Sequence, residues 1–261
     1  MEEVKLQVAG ESGRGAGGGG SQQQRTQWRQ VRVVRDTVIR VAICRYVFAA
    51  LAGAGMAIIY GLKVNLSIAI VAMVNHTALA TNTSSAEAGA GLEDGPLAWS
   101  SAEQGAVLGA YFLGYLATQL PGGRLAETRS AKRVFLAAVV LHILPCLATP
   151  PAASLGPAPV MLLRLVQGAG GGLSFPALTV LVAAWAPPPQ RSSLTAVCFS
   201  GSSLGTVASV AGSGWLAAWL GWEAVFYVQG GLACCWCLLW AALVADTPGQ
   251  HRSAGRAQGC I

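Results

Sequence analysis

The residues of this chain best suited to chemistry are two cations inside otherwise apolar stretches, Lys63 and Arg164. A charge in the hydrocarbon layer costs about 2.5–3.5 kcal/mol on insertion scales, and residues that carry one generally face a cavity or a partner. Tyr60 and Ser67 stand at i−3 and i+4 from Lys63, on the same helical face. A cavity-facing Lys63 attracts an anionic substrate. In the other reading it snorkels, its stem buried and its ammonium reaching the interface. Arg164 lies near the outer end of its stretch, so cavity and interface are both open to it. Tyr60 and Tyr111 complete the set of substrate-binding candidates.

Enzyme chemistry has little to build on. There is no Ser–His–Asp or Cys–His arrangement and no carboxylate cluster. His142 is a lone histidine in an apolar stretch and reads as a packed, satisfied side chain. The seven cysteines show no pairing frame and no metal spacing with histidines. Most lie in apolar segments, where cysteine acts as a small hydrophobe. No catalytic residue, cofactor or metal site is expected. Gly168–Ala169–Gly170–Gly171–Gly172 is not a phosphate loop, because no strand precedes it and no Gly-Lys-Ser or Gly-Lys-Thr follows it. It reads as a tight helix-packing surface, as do Gly201, Gly205, Gly212 and Gly214.

The elements that must position these residues are membrane helices. Of the residues, 53% are hydrophobic and only 11% charged, whereas soluble domains carry roughly 25% charged residues. Too little charge is present to cover a soluble surface, so the solvent of the exposed side chains is lipid. The net positive charge does not imply nucleic-acid binding, since the basic residues flank apolar segments and form no patch of their own.

Six spans are expected, at about 46–74, 103–121, 134–149, 159–185, 193–216 and 223–245. Pro150–Pro151 closes the third and Pro187–Pro188–Pro189 the fourth. The fold class is thus an all-α, six-helix membrane bundle over 45–245. Residues 1–44 read as a disordered basic tail with a Gly/Gln low-complexity run, and 246–261 as a polar C-terminal tail. With both termini cytoplasmic, every Lys and Arg lies inside except Lys63 and Arg164, and the outer loops hold none. The same orientation puts the sequons at Asn75 and Asn82 on the outer or lumenal side, where glycosylation occurs. The 2–3 loop, from Gly123 through Glu127 to Lys132 and Arg133, reads as a tight basic turn whose one acid pairs with an arginine across the helix ends.

These segments resemble a known family. The 2–3 loop is similar to the signature loop of the major facilitator superfamily, with Glu127 at its acidic position, Ser130 at its second glycine and Ala131 at its first basic place. More specifically, "YGLKVNLSIAIVAMVNHT" (60–77), "GAYFLGYLATQLPGGRLAE" (109–127), "RLVQGAGGGLSFPAL" (164–178), "WAPPPQRSSL" (185–194) and "GWEAVFYVQG" (221–230) resemble the anion:cation symporters. That family includes sodium/phosphate cotransporters, sialin and vesicular glutamate transporters.

The resemblance implies sodium- or proton-coupled transport of organic anions or phosphate across a plasma, lysosomal or vesicular membrane. It puts Lys63 at a cavity-facing span-one arginine, Arg164 at a span-four arginine, and Gly123, Glu127, Lys132 and Arg133 in a gating loop. Where the family usually has a span-four acid this chain has Gly171, and where it commonly has a histidine this chain has Thr179. Both departures bear on proton coupling. Such carriers have two six-helix halves with the site between them, so this chain is expected to be an N-terminal half. Its partners are then the bilayer, a small anion, and either the missing half or a partner carrier. The alternative is a non-transporting half-carrier that associates with a full-length transporter. A sugar or drug facilitator is a third reading.

Overall fold

The computed structural model describes residues 20–74, 95–97 and 99–244. They form six long helices: α1 (Gly20–Met73), α2 (Ser101–Thr128), α3 (Ala131–Ala153), α4 (Pro157–Trp185), α5 (Arg191–Leu220) and α6 (Trp222–Leu243). A 3-10 turn at Pro188–Gln190 precedes α5. A bridge between Val74 and Leu97 draws together the chain on either side of residues 75–94. The sequons at Asn75 and Asn82 lie outside the described residues, as do residues 1–19 and 245–261 of the two tails.

Among the described residues, five stretches are long and apolar enough to cross a membrane: Arg45–Met73, Ala131–Ala153, Pro157–Trp185, Pro188–Leu220 and Trp222–Leu243. The remaining helix, α2, has 28 residues, or about 42 Å at 1.5 Å per residue. Length does not set it apart; Glu103, Gln104, Gln119 and its glycines dilute its hydropathy. Its start is well defined. Ser100 and Glu103 form a reciprocal capping box, with the Ser100 N–H donating to Glu103 Oε2 at 2.8 Å and the Glu103 N–H to Ser100 Oγ at 3.3 Å.

Three helix ends differ from expectation. Residues 20–44, expected as disordered tail, belong to α1. Between Gly20 and Gly53 the chain has no glycine or proline, and its Gln and Arg residues are good helix formers continuous with the span. Pro150 and Pro151 do not stop α3 at 149; it runs to Ala153. A proline withdraws a hydrogen bond from the turn before it, and here the helix lasts only two residues beyond the pair. The third difference is α2, which passes through Pro121–Gly122–Gly123 and ends at Thr128. The expected tight 2–3 turn is therefore mostly helical, and only Arg129 and Ser130 separate α2 from α3. Two other links are also short and use glycines with positive φ: Gly156 (116°) between α3 and α4, and Gly221 (87°) between α5 and α6.

Two glycine-mediated seams organise the bundle. In the α2–α4 seam a Cβ on Gly114 would meet the Leu165 carbonyl, one on Gly168 the Tyr111 carbonyl, and one on Gly172 the Tyr115 carbonyl and the Thr118 hydroxyl. In the α1–α5 seam a Cβ on Gly201 would meet the Gly53 backbone, and one on Gly205 the Ala57 backbone. Small residues let these backbones touch. Exchanging α1 with α4 and α2 with α5 converts one pairing into the other, the relation expected of a three-plus-three helix repeat.

Toward the end of the bundle where α1 enters it, aromatic rings clamp four helices. Phe48 stacks on Trp185 at 4.8 Å between centroids, and Trp240 stacks on Trp236 and lies against Phe135, each at 5.0 Å. These contacts brace one end of the bundle; the next feature lies further along α1.

Candidate functional site

A cavity of about 170 Å³ opens between α1, α2 and α4, lined by Ile59, Tyr60, Lys63, Tyr111, Phe112, Tyr115, Gly171 and Ser174. The 3.6-residue period puts Tyr60 and Lys63 on one face of α1, and Tyr111 and Tyr115 on one face of α2. The glycine seam lets α4 come close enough to close the third side. At Gly171 the absent side chain makes room for a ring, because a Cβ there would meet the Tyr111 hydroxyl.

Lys63 is half-buried. Its Nζ stands 5.3 Å from the Tyr60 ring centroid, 5.3 Å from that of Tyr111 and 5.0 Å from that of Phe112. All three lie within cation–π range. The ammonium thus stands among three aromatic rings in the wall of a cavity.

Arg164 is 3% exposed. Its Nη1 donates to the backbone carbonyl of Lys63 at 3.1 Å, and Gln167, nearly one turn on, donates to the Leu62 carbonyl at 3.0 Å. Its Nε is buried without a hydrogen-bond partner. Arg164 therefore does not reach an interface. It is not among the residues lining the cavity either; it is buried on α4 and bonded to the α1 backbone that carries Lys63. Among the described residues neither cation forms an ion pair. Their positive charge is uncompensated in a low-dielectric setting, where attraction for an anion is strong.

His142 is fully buried. Its Nδ1 lies 2.8 Å from the Ala138 carbonyl oxygen, which accepts only, so Nδ1 carries the hydrogen. In the neutral ring Nε2, 3.3 Å from the Tyr111 hydroxyl, then accepts from Tyr111. The expectation of a satisfied histidine holds, and its partner is a cavity residue.

The gating-loop candidates stand apart from the cavity. Glu127 is 16 residues beyond Tyr111 on α2, about 24 Å along the helix. It lies 3.9 Å from Arg124, within the same helix and exposed. The ion pair expected across the helix ends is thus an i,i+3 surface pair, which stabilises by at most ~1 kcal/mol. Gly123 lies near Pro176 of α4. Lys132 donates from Nζ to the Ala241 carbonyl at 3.0 Å, and Trp240 Nε1 donates to the Lys132 carbonyl at 3.3 Å. Lys132 therefore caps the end of α6, while Arg133 is exposed beside it. No group of three or more metal-ligating side chains occurs among the described residues.

Phe112, Tyr115 and Ser174 were not singled out by sequence. Tyr115 had a signal, being four residues from Tyr111 on one helix face. Phe112 had none, because adjacent helical residues point about 100° apart and only the bundle brings its ring to Lys63.

The family model of the Major Facilitator Superfamily matches residues 41–259. The chain belongs to that superfamily. It is similar to sialin from Homo sapiens, 38% identical over 218 residues that cover 80% of this chain and 44% of sialin. It is 35% identical over 207 residues to vesicular glutamate transporter 3 from Danio rerio, covering 79% of this chain and 34% of the relative. Against vesicular glutamate transporter 2 from Homo sapiens the identity is 34% over 207 residues, with 79% and 35% covered. The chain thus spans less than half the length of the curated relatives it matches. As a member of that superfamily it is a membrane protein with the all-α architecture of an N-terminal half, and it is not an enzyme.

Proposed function

We propose that this chain forms the N-terminal half of an organic-anion carrier and that the Lys63 cavity is its contribution to the substrate site. The observation that carries the reading is Lys63 itself, an ammonium in a cavity wall, ringed by Tyr60, Tyr111 and Phe112 with no acidic partner among the described residues. A carboxylate or phosphate entering the cavity finds a cation there, with Tyr60 and Tyr115 on its walls, while the hydroxyl hydrogens of Tyr111 and Ser174 are engaged by His142 and the Gly171 carbonyl. The buried Arg164 on α4 adds a second positive charge, bonded to the α1 backbone at Lys63. The names of the relatives, sialin and the vesicular glutamate transporters, favour a carboxylate-bearing organic anion over inorganic phosphate.

Alternating access rocks one half against another. A second six-helix half must then face the cavity, in a longer form of this chain or in a partner carrier. Both termini are proposed to be cytoplasmic on the distribution of Lys and Arg, and the driving ion to be sodium or the proton.

Uptake of radiolabelled sialate, L-glutamate and phosphate into proteoliposomes tests the reading, using the chain joined to or co-reconstituted with a second facilitator half. Saturable uptake of a carboxylate, abolished by Lys63→Ala, is expected. Uptake of none of the three, or uptake indifferent to Lys63, rejects it.

A further inference from the structure

Tyr111 of the cavity wall and the fully buried His142 form a titratable pair whose hydrogen bond has a direction. His142 on α3 donates from Nδ1 to its own helix, so its Nε2 accepts the Tyr111 proton. The Tyr111 hydroxyl lies against Gly171, and both residues line the cavity. In this state the hydroxyl hydrogen points away from the cavity, and only oxygen lone pairs are left for a ligand. An anion meets repulsion there.

We infer that His142 is the proton-binding residue of the cavity and that it binds its proton together with the anion, through Tyr111. The inference rests on the reading of the cavity as an anion site. A hydronium in the cavity gives up one O–H bond to protonate the Tyr111 oxygen while the original Tyr111 hydrogen passes to Nε2, leaving a water, a neutral tyrosine and an imidazolium. Nε2–H then donates to the Tyr111 oxygen, which had been the donor. The hydrogen newly bound to the Tyr111 oxygen points into the cavity and donates to the bound anion. One proton and one negative charge enter together, so the buried site changes little in net charge.

The surroundings favour this linkage. The charged groups acting on the ring are Arg164 from α4 and Lys63 from α1. Both are cations, and α2 contributes the neutral Tyr111. From α6, which also packs on α3, Cys234 interacts with Cys146, about one turn beyond the ring. No acid faces His142 among the described residues, so without an anion a third positive charge is opposed by two others. An anion beside Lys63 offsets that field. By reciprocity, whatever the anion does for the proton the proton does for the anion.

The expected consequence is an anion affinity that rises as pH falls, by up to about tenfold per pH unit for one linked proton. The test is calorimetric titration of the full chain in nanodiscs with L-glutamate and sialate, in buffers of different ionisation enthalpy and at several pH values. Uptake of close to one proton per anion by the wild type supports the inference, and this readout needs no variant. His142→Gln and Tyr111→Phe should each bind anion with little proton uptake and a flattened pH dependence. Anion binding without proton uptake, or proton uptake unchanged in both variants, overturns the inference and leaves the anion site standing. Absence of anion binding by the wild type at every pH overturns the anion reading, and this inference with it.

Discussion

Arg164 donates from Nη1 to the backbone carbonyl of Lys63, so the two cations found inside the spans are joined through main chain. One shapes the cavity wall that the other lines. A buried guanidinium with no acidic partner is costly, and a hydrogen bond to a carbonyl offsets only part of that cost. A bound anion nearby offsets more, which links the stability of this region to its ligand.

That link can be measured with Arg164→Met, which keeps length and removes charge. The expected outcome is a folded protein whose anion affinity falls about tenfold, corresponding to roughly 1.4 kcal/mol. Arg164→Lys should recover part of the loss, since it restores the charge without the planar fork. Equilibrium binding in nanodiscs checks both. Wild-type affinity in the Met variant would separate Arg164 from the site.

The glycine seams predict opposite outcomes for one kind of substitution. Gly168→Ala drives a methyl into the Tyr111 carbonyl and should cost about 1–3 kcal/mol. A Cβ on Gly109 of α2 meets nothing within 4 Å, so Gly109→Ala should be neutral or stabilise by up to about 1 kcal/mol through helix propensity. Thermal unfolding in one detergent distinguishes them. Equal melting temperatures for the two variants would show that α2 and α4 do not meet at Gly168.

Orientation gives a third prediction. With the termini in the cytoplasm, Asn82 is expected to face the lumen and to carry a glycan that a peptide N-glycosidase removes. Asn82→Gln should abolish that mobility shift in expressing cells, and tags at both ends should be labelled only after permeabilisation. Labelling of intact cells at either end contradicts the topology.

Much of the helical order could be read in the sequence, because long apolar runs bounded by polar loops leave few alternatives. Helix ends could not. Pro121–Gly122–Gly123 has the composition of a break, yet α2 continues through it while packed on α4, where Gly122 faces Leu173. Pro150–Pro151 likewise marks the last turn of α3 and not its boundary. In the candidate site, Lys63, Tyr60 and Tyr111 stood out by residue type, and the structure gathers them around one cavity. Arg164 stood out equally but is bonded to the Lys63 carbonyl and does not line the cavity, because the rotation of α4 against α1 is set by packing. His142 was visible only as a buried histidine. Its partner is 31 residues away on a neighbouring helix, a distance that no local pattern spans.

The central claim is that the Lys63 cavity binds an organic anion. Equilibrium binding of radiolabelled sialate and L-glutamate to the nanodisc-embedded chain tests it most directly, comparing the wild type with Lys63→Ala. A charge-assisted hydrogen bond contributes about 1.5–3 kcal/mol, so the variant should bind at least one of these anions roughly ten- to a hundredfold more weakly while melting near the wild-type temperature. Equal affinity in the two proteins, or no binding by the wild type, would contradict the account.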